Sequence, residues 1–257
     1  MAKRLRLALI CFFLTSLQAQ AQPFTSVSFS IQAHQDDWQL FMSSRVIADM
    51  YVAQRKMVFI TLTAGDESCG ACTYYGTGPF FMGRETGSVY ASMFAADLTL
   101  GTTTTDIPTA TTVAMNGHNI TKYTYKNTVN YFLRLPDGNT NGSGFQNNNY
   151  QSLNKLRTGA IASISTIGIN DVPPLTPTAT YTGWTDLTNT IKAIINAEKI
   201  SGTQSWIHTA HDNTSTYNIN DHSDHTNASL AAQAAVSSGM TWVGVNGFMD
   251  YQSSAYS

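Results

Sequence analysis

The feature that most constrains this chain is a change of hydrophobic period between residues 24 and 62. Over 24–33, Val27, Phe29, Ile31 and Ala33 alternate with polar residues, the period-2 pattern of a strand. From Asp37 to Ala53 the period becomes helical: Leu40, Ile47 and Tyr51, with Phe41, Ala48 and Val52 beside them, make the expected inner face. Residues 57–62 then run almost continuously apolar, which suits a parallel strand covered on both faces. Strand, helix, strand in this order is a βαβ unit, and it commits the chain to an α/β fold.

The rest of the sequence extends that pattern. Residues 84–98 predict a helix with Val89, Met93 and Ala96 on one face, and the Thr-rich stretch 101–134 predicts short strands or a meander. Leu135-Pro136-Asp137-Gly138 is a turn, since proline presets φ and Asp-Gly tolerates a tight bend. A polar Gly/Asn loop follows over 139–149, and its composition implies exposure. Residues 184–199 carry Leu187, Ile191 and Ile194 on one helical face. A strand over 204–209, a polar loop over 211–225, an alanine-rich helix over 227–237 and a closing strand over 241–247 complete the reading. No repeat, linker or second core interrupts it, so one domain is expected over 22–257.

The first residues belong to something else. Lys3, Arg4 and Arg6 precede a short apolar run, and Ala19-Gln20-Ala21 supplies a small-x-small cleavage pattern. A signal peptide over 1–21 is expected, with the protein secreted or periplasmic after cleavage near Ala21. The run is too short to span a bilayer, which takes about 20 apolar residues. Removing it leaves Cys69 and Cys72, whose C-x-x-C spacing in an oxidising compartment predicts a disulfide stapling a loop. With 14 basic against 16 acidic residues and a net charge of -2, the chain carries no electrostatic footprint for nucleic acid.

In so sparsely charged a chain, the position of the charges is informative. His34-Gln35-Asp36-Asp37 stands at the exit of the first strand, and Asp221-His222-Ser223-Asp224-His225 follows a late one. Open α/β sheets bind ligands outside the carboxyl ends of their strands, so both clusters are predicted on one rim. An imidazole and a carboxylate three residues apart, joined by a distant imidazole, form a three-ligand set with an open position, the usual form of a catalytic zinc site. The plainer alternatives are that Asp37 caps the next helix and that the two late histidines belong to a solvated loop. His118 reads as a surface residue, and His208 and His211 as loop residues near the rim.

At these residues the chain resembles the PIG-L or LmbE-like de-N-acetylases. Ala33-His34-Gln35-Asp36-Asp37 is similar to that family's A-H-P-D-D signature, and His222-Ser223-Asp224-His225 to its H-x-D-H. Gly83-Arg84-Glu85 and Leu135-Pro136-Asp137-Gly138 match its Arg/Glu segment and L-P-D-G turn in the same order. The resemblance implies a Rossmann-like three-layer sandwich with a mostly parallel sheet. It implies zinc, or another divalent metal, on His34, Asp37 and His225. Asp36 would be the base for the metal-activated water, His222 the oxyanion stabiliser or acid, and Asp224 the group orienting His222. Arg84 and Asp137 would contact the hydroxyls of an N-acetylated sugar or glycan, which loses acetate. Gln35 in place of proline and Trp38 in place of an acid depart from the pattern, and Trp38 is either a sugar-stacking face at the mouth or a buried aromatic. The competing readings are a metal-dependent phosphoesterase, which would draw on Asp212 and Asp221 for a second ion, and a non-catalytic glycan-binding protein.

Overall fold

The structure is a computed structural model that describes residues 24–67, 79–103, 105–167, 179–212, 218–236 and 239–250. The segments read above as a signal peptide and as the Cys69–Cys72 staple lie outside the described residues.

The first strand, β1, spans Ser26–Gln32, and two short helices follow, α1 over Asp37–Phe41 and α2 over Ser43–Met50. Strand β2 covers Arg55–Thr63, helix α3 Phe80–Leu100, and strands β3, β4 and β5 Thr111–Met115, His118–Tyr125 and Thr128–Leu135. Helix α4 (Leu153–Thr158) and strands β6 (Ser163–Ser165) and β7 (Thr180–Thr182) lead to α5 (Gly183–Glu198). Strand β8 (Ser205–Ala210), helix α6 (Ser223–Val236) and strand β9 (Val243–Phe248) follow. Among the described residues these make a seven-stranded sheet in the order β3-β4-β5-β2-β1-β8-β9, with β6 and β7 paired separately. Strands β5, β2, β1, β8 and β9 run parallel, while β3 and β4 form the antiparallel meander expected at one edge.

Alternation along β1 and β2 divides the core in two. Val27, Phe29 and Ile31 of β1 with Val58 and Ile60 of β2 face α4, α5 and α6, where Leu187, Ile191, Ala228 and Ala231 meet them. On the other face, Met57 and Phe59 pack beneath Trp38, Met42, Val46, Val89 and Met93 of α1, α2 and α3. Helices on both faces of a mostly parallel sheet make the three-layer, Rossmann-like sandwich anticipated from the sequence.

The inner face of the first helical segment differs from expectation. Leu40 and Tyr51 are 61% and 58% exposed, and the buried stripe is Trp38, Met42, Val46 and Met50. The helix is interrupted at Met42 between α1 and α2, yet the buried stripe keeps its four-residue spacing across the interruption. The sheet face beneath is also partly polar: Ser28, Ser30 and Gln32 are buried, and Gln32 donates to Thr61 Oγ1 at 3.1 Å. Trp38 is therefore a core residue against Phe59, not a stacking face at the mouth. His208 is likewise no loop residue: it is fully buried in β8, 2.8 Å from Asp49 Oδ2 of α2. His118 is partly buried, stacked on Tyr181 and 3.0 Å from Asp186.

At the far end from the strand exits, Glu198 closes α5 against the sheet. It accepts hydrogen bonds from Lys56 Nζ (2.6 Å), Lys122 Nζ (2.8 Å) and the Tyr131 hydroxyl (2.5 Å). Burial alone would raise its carboxyl pKa, but the two ammonium groups and the phenol outweigh burial and hold it below its ordinary 4.5. A carboxyl depressed in the folded state stabilises above its unfolded pKa and loses that contribution as pH falls through its folded value. Glu198→Gln should therefore cost about 2 kcal/mol at neutral pH. The difference from the wild type should shrink on acidification below pH 4.5, as read from melting temperature against pH.

A candidate metal centre at the strand exits

The chain runs from β1 to β2 on one side and from the adjacent β8 to β9 on the other, so the connections after β1 and β8 diverge and open a crevice beyond their carboxyl ends. The first cluster enters that crevice through a tight turn. Asp37 Oδ2 accepts the backbone N–H groups of Ala33 (3.0 Å) and His34 (2.9 Å). The side chain that a helix-cap reading would spend on α1 thus folds back onto the exit of β1, and Asp37 Oδ1 is turned inward. His225 arrives from the opposite side. It belongs not to a loop but to the first turn of α6, and it is fully buried.

Three donor atoms converge there. His34 Nδ1 is 3.1 Å from His225 Nε2 and 3.5 Å from Asp37 Oδ1, and His225 Nε2 is 3.4 Å from Asp37 Oδ1. A tetrahedral ion with bonds near 2.1 Å spaces its ligand atoms about 3.4 Å apart, which is the size of this triangle. Overlapping sets, His34 with His222 and His225 and His34 with Asp137 and Asp224, also bring donors close enough to share an ion.

The charges agree with a cation. Asp37, Asp137, Asp221, Asp224 and Asp250 are all buried around these imidazoles, and buried carboxylates need neutralisation. Burial would push the imidazoles of His34 and His225 down, yet the Asp37 carboxylate and its acidic neighbours win, holding His34 at about 9 and His225 well above the ordinary histidine value. Burial raises the Asp137 carboxyl, and the charge of Asp224 adds to it. The buried His/Asp cluster could hold a metal ion.

In front of it lies a cavity of about 560 Å³. His34, Asp36, Arg84, Asp137 and His222 line it, so of the residues expected to act on or bind a substrate all but the buried Asp224 share one space. Phe80 and Phe145 form apolar parts of its wall, with Asn139 and Thr140 of the Gly/Asn loop beside them. Asp36, half-exposed, accepts from Arg84 Nη2 through Oδ1 at 2.5 Å, and Arg84 also donates to the Gly65 carbonyl at 2.9 Å. Among the described residues its Oδ2 has no partner.

His222 has a defined tautomer. Its Nδ1 accepts the backbone N–H of Asp224 at 3.2 Å, so the proton of the neutral ring sits on Nε2, the nitrogen 4.0 Å from Asp137 Oδ1. Burial and the nearby charge of His34 lower its pKa to about 4, keeping it neutral. Asp224 thus meets His222 through its backbone. Its carboxylate accepts the Gly138 N–H at 2.7 Å and faces His34 Nε2 at 3.7 Å. Gly138 has to be glycine here, because a Cβ would collide with that carboxylate.

No known protein family, curated protein or solved structure matches the chain.

Sequence reasoning passed over Asp66 and Asp250. Asp66 is fully buried and accepts the Asp137 N–H at 3.0 Å and Asn148 Nδ2 at 2.7 Å, pinning the turn that carries Asp137. Asp250 lies against His225. A signal for both existed: each of the five parallel strands is followed within a few residues by aspartate, Asp36 and Asp37 after β1, Asp66 after β2, Asp137 after β5, Asp212 after β8 and Asp250 after β9.

Proposed function

We propose that the protein is a zinc-dependent hydrolase that removes acetyl from an N-acetylated sugar, N-acetylglucosamine or a glycan built from it. The observation that carries this reading is the triangle of His34 Nδ1, Asp37 Oδ1 and His225 Nε2, with edges of 3.1–3.5 Å, whose His34 lines a cavity that also holds a carboxylate and a neutral imidazole. The amide and the sugar come from the resemblance to PIG-L de-N-acetylases, whose four motifs converge in this cavity.

Zinc on His34, Asp37 and His225 would supply Lewis acidity, polarising the acetyl carbonyl and acidifying water. Asp36, through Oδ2, takes the proton of the attacking water and passes it to the leaving amine. His222 donates its Nε2–H to the oxygen that becomes negative in the tetrahedral transition state. Arg84 and Asp137 hold sugar hydroxyls, and Phe80 and Phe145 give the apolar face of the ring a surface to lie on. Asp224 supports His222 by the backbone contact and orders the Gly138 turn by its carboxylate. Secretion follows in this reading from the leader over residues 1–21.

The phosphoesterase alternative has less to draw on. Asp212 is engaged by Gln233 at 2.8 Å and Asp221 by Asn218 at 2.8 Å, and neither lines the cavity in front of His34.

Purified protein given one equivalent of zinc should release acetate from N-acetylglucosamine, chitooligosaccharides or peptidoglycan fragments. A chelator should abolish release, and added zinc should restore it. Zinc-loaded protein that releases no acetate from any of these overturns the reading, and glycan binding without turnover would favour the non-catalytic alternative.

A further inference from the structure

Behind the candidate centre, on the side away from the cavity, two carboxylates crowd one nitrogen. His225 Nδ1 lies 3.1 Å and 3.2 Å from the two oxygens of Asp221 in hydrogen-bonding alignment. Asp250 Oδ2 comes to 2.9 Å of the same nitrogen but at no hydrogen-bonding angle, and neither of its oxygens has a hydrogen-bond partner among the described residues. Both aspartates are buried, Asp221 ahead of α6 and Asp250 beyond β9. Asn218 ties them together: its Nδ2 donates to Asp221 Oδ2 at 2.8 Å, and its Oδ1 accepts the Asp250 N–H at 2.9 Å. It does so in the left-handed region (φ 64°), which asparagine tolerates better than most residues.

One ring nitrogen can carry one proton. With Nδ1–H aimed at Asp221, the His225 lone pair is confined to Nε2, the atom facing His34 and Asp37. A carboxylate accepting the outer N–H of a metal-bound histidine fixes ring orientation and makes the inner nitrogen a stronger donor. Asp250 places a second carboxyl group on the same side without taking a share of the hydrogen bond.

We infer that Asp221 and Asp250, clamped by Asn218, are positioning residues for the metal: Asp221 fixes the tautomer of His225, and Asp250, packed against the same nitrogen, holds the ring with Nε2 turned toward His34 and Asp37. The inference rests on the reading of His225 as a zinc ligand. It makes the end of β9 part of the centre, although Asp250 never faces the cavity.

The test is chelator competition for zinc on the full chain, the Asp221→Asn variant and the Asp250→Asn variant, with ¹H–¹⁵N spectra of the His225 ring. Asparagine keeps the shape and an acceptor oxygen, so the folded variants change only the carboxyl group. Each variant should bind zinc about 10–100-fold more weakly. The downfield Nδ1–H resonance of His225 should move upfield in Asp221→Asn and much less in Asp250→Asn, a distinction that general loosening of the fold would not produce. Zinc affinity within twofold of the wild type in both variants overturns the inference while leaving the deacetylase reading standing. Acetate-release failure with the affinity losses intact does the reverse. Two zinc ions per wild-type chain, the second lost in Asp250→Asn, would also overturn it, since Nδ1 would then be a ligand. So would a wild-type chain that takes up no zinc.

Discussion

Replacing Asp36 by asparagine should lower acetate release by about 10²–10⁴-fold while zinc stays at one equivalent per chain. The two halves of that expectation come from the split between neighbouring residues. Asp37 is buried and turned inward, with Oδ2 fixed by two backbone N–H groups and Oδ1 in the donor triangle. Asp36 is half-exposed, lines the cavity and is held by Arg84 through Oδ1 alone. An asparagine keeps an oxygen for Arg84, so the cavity wall is preserved, but an amide cannot take a proton from water. Rates should be measured beside metal content by mass spectrometry. Normal turnover in Asp36→Asn would remove the base from the proposed mechanism, and loss of zinc would move Asp36 into the ligand set.

Glu85→Ala should destabilise the fold by about 3–5 kcal/mol, the cost of leaving one member of a buried ion pair alone. Arg134 Nε and Nη2 donate to the two oxygens of Glu85 at 2.6 Å and 2.7 Å, and both side chains are almost wholly buried. The pair joins α3 to the end of β5, one residue before the Leu135-Pro136-Asp137-Gly138 turn. Arg134 is itself in the left-handed region, φ 57°, just where the register between β2 and β5 shifts. Deleting the carboxylate strands a guanidinium in the core at that point. For a domain of this size the loss corresponds to a melting temperature lower by roughly 10 °C. Replacing both partners by methionine should recover most of it, because two apolar side chains leave no stranded charge. A Glu85→Ala protein melting within 2 °C of the wild type, to take about 2 °C as the scale of an unimportant change, would mean the pair contributes little.

Much of this was legible in the residues. The shift from period 2 to period 3.6 and back located β1, β2, α3, α5, α6 and β9, because in each one face must meet a sheet or helix layer. The first helix was located but turned the wrong way. Residues 38–52 contain two apolar stripes, and a hydrophobic pattern does not say which of them meets the sheet; the one at Trp38, Met42, Val46 and Met50 does. The pair β6 and β7 and the short α4 went unread, since three-residue strands carry too few residues to show a period. At the centre, His34, Asp37 and His225 stood out because they came in dense polar clusters, and the sheet topology brought the clusters together. Asp66 and Asp250 did not, because a lone aspartate after a strand looks like ordinary turn chemistry until the strands are placed side by side.

The two imidazoles that meet at 3.1 Å are 191 positions apart along the chain. The triangle of His34, Asp37 and His225 therefore exists only when both halves of the polypeptide are folded together. An ion held by that triangle would bind the folded domain and not the unfolded chain, so each increment of its affinity would oppose unfolding of the entire domain and make occupancy a gauge of assembly.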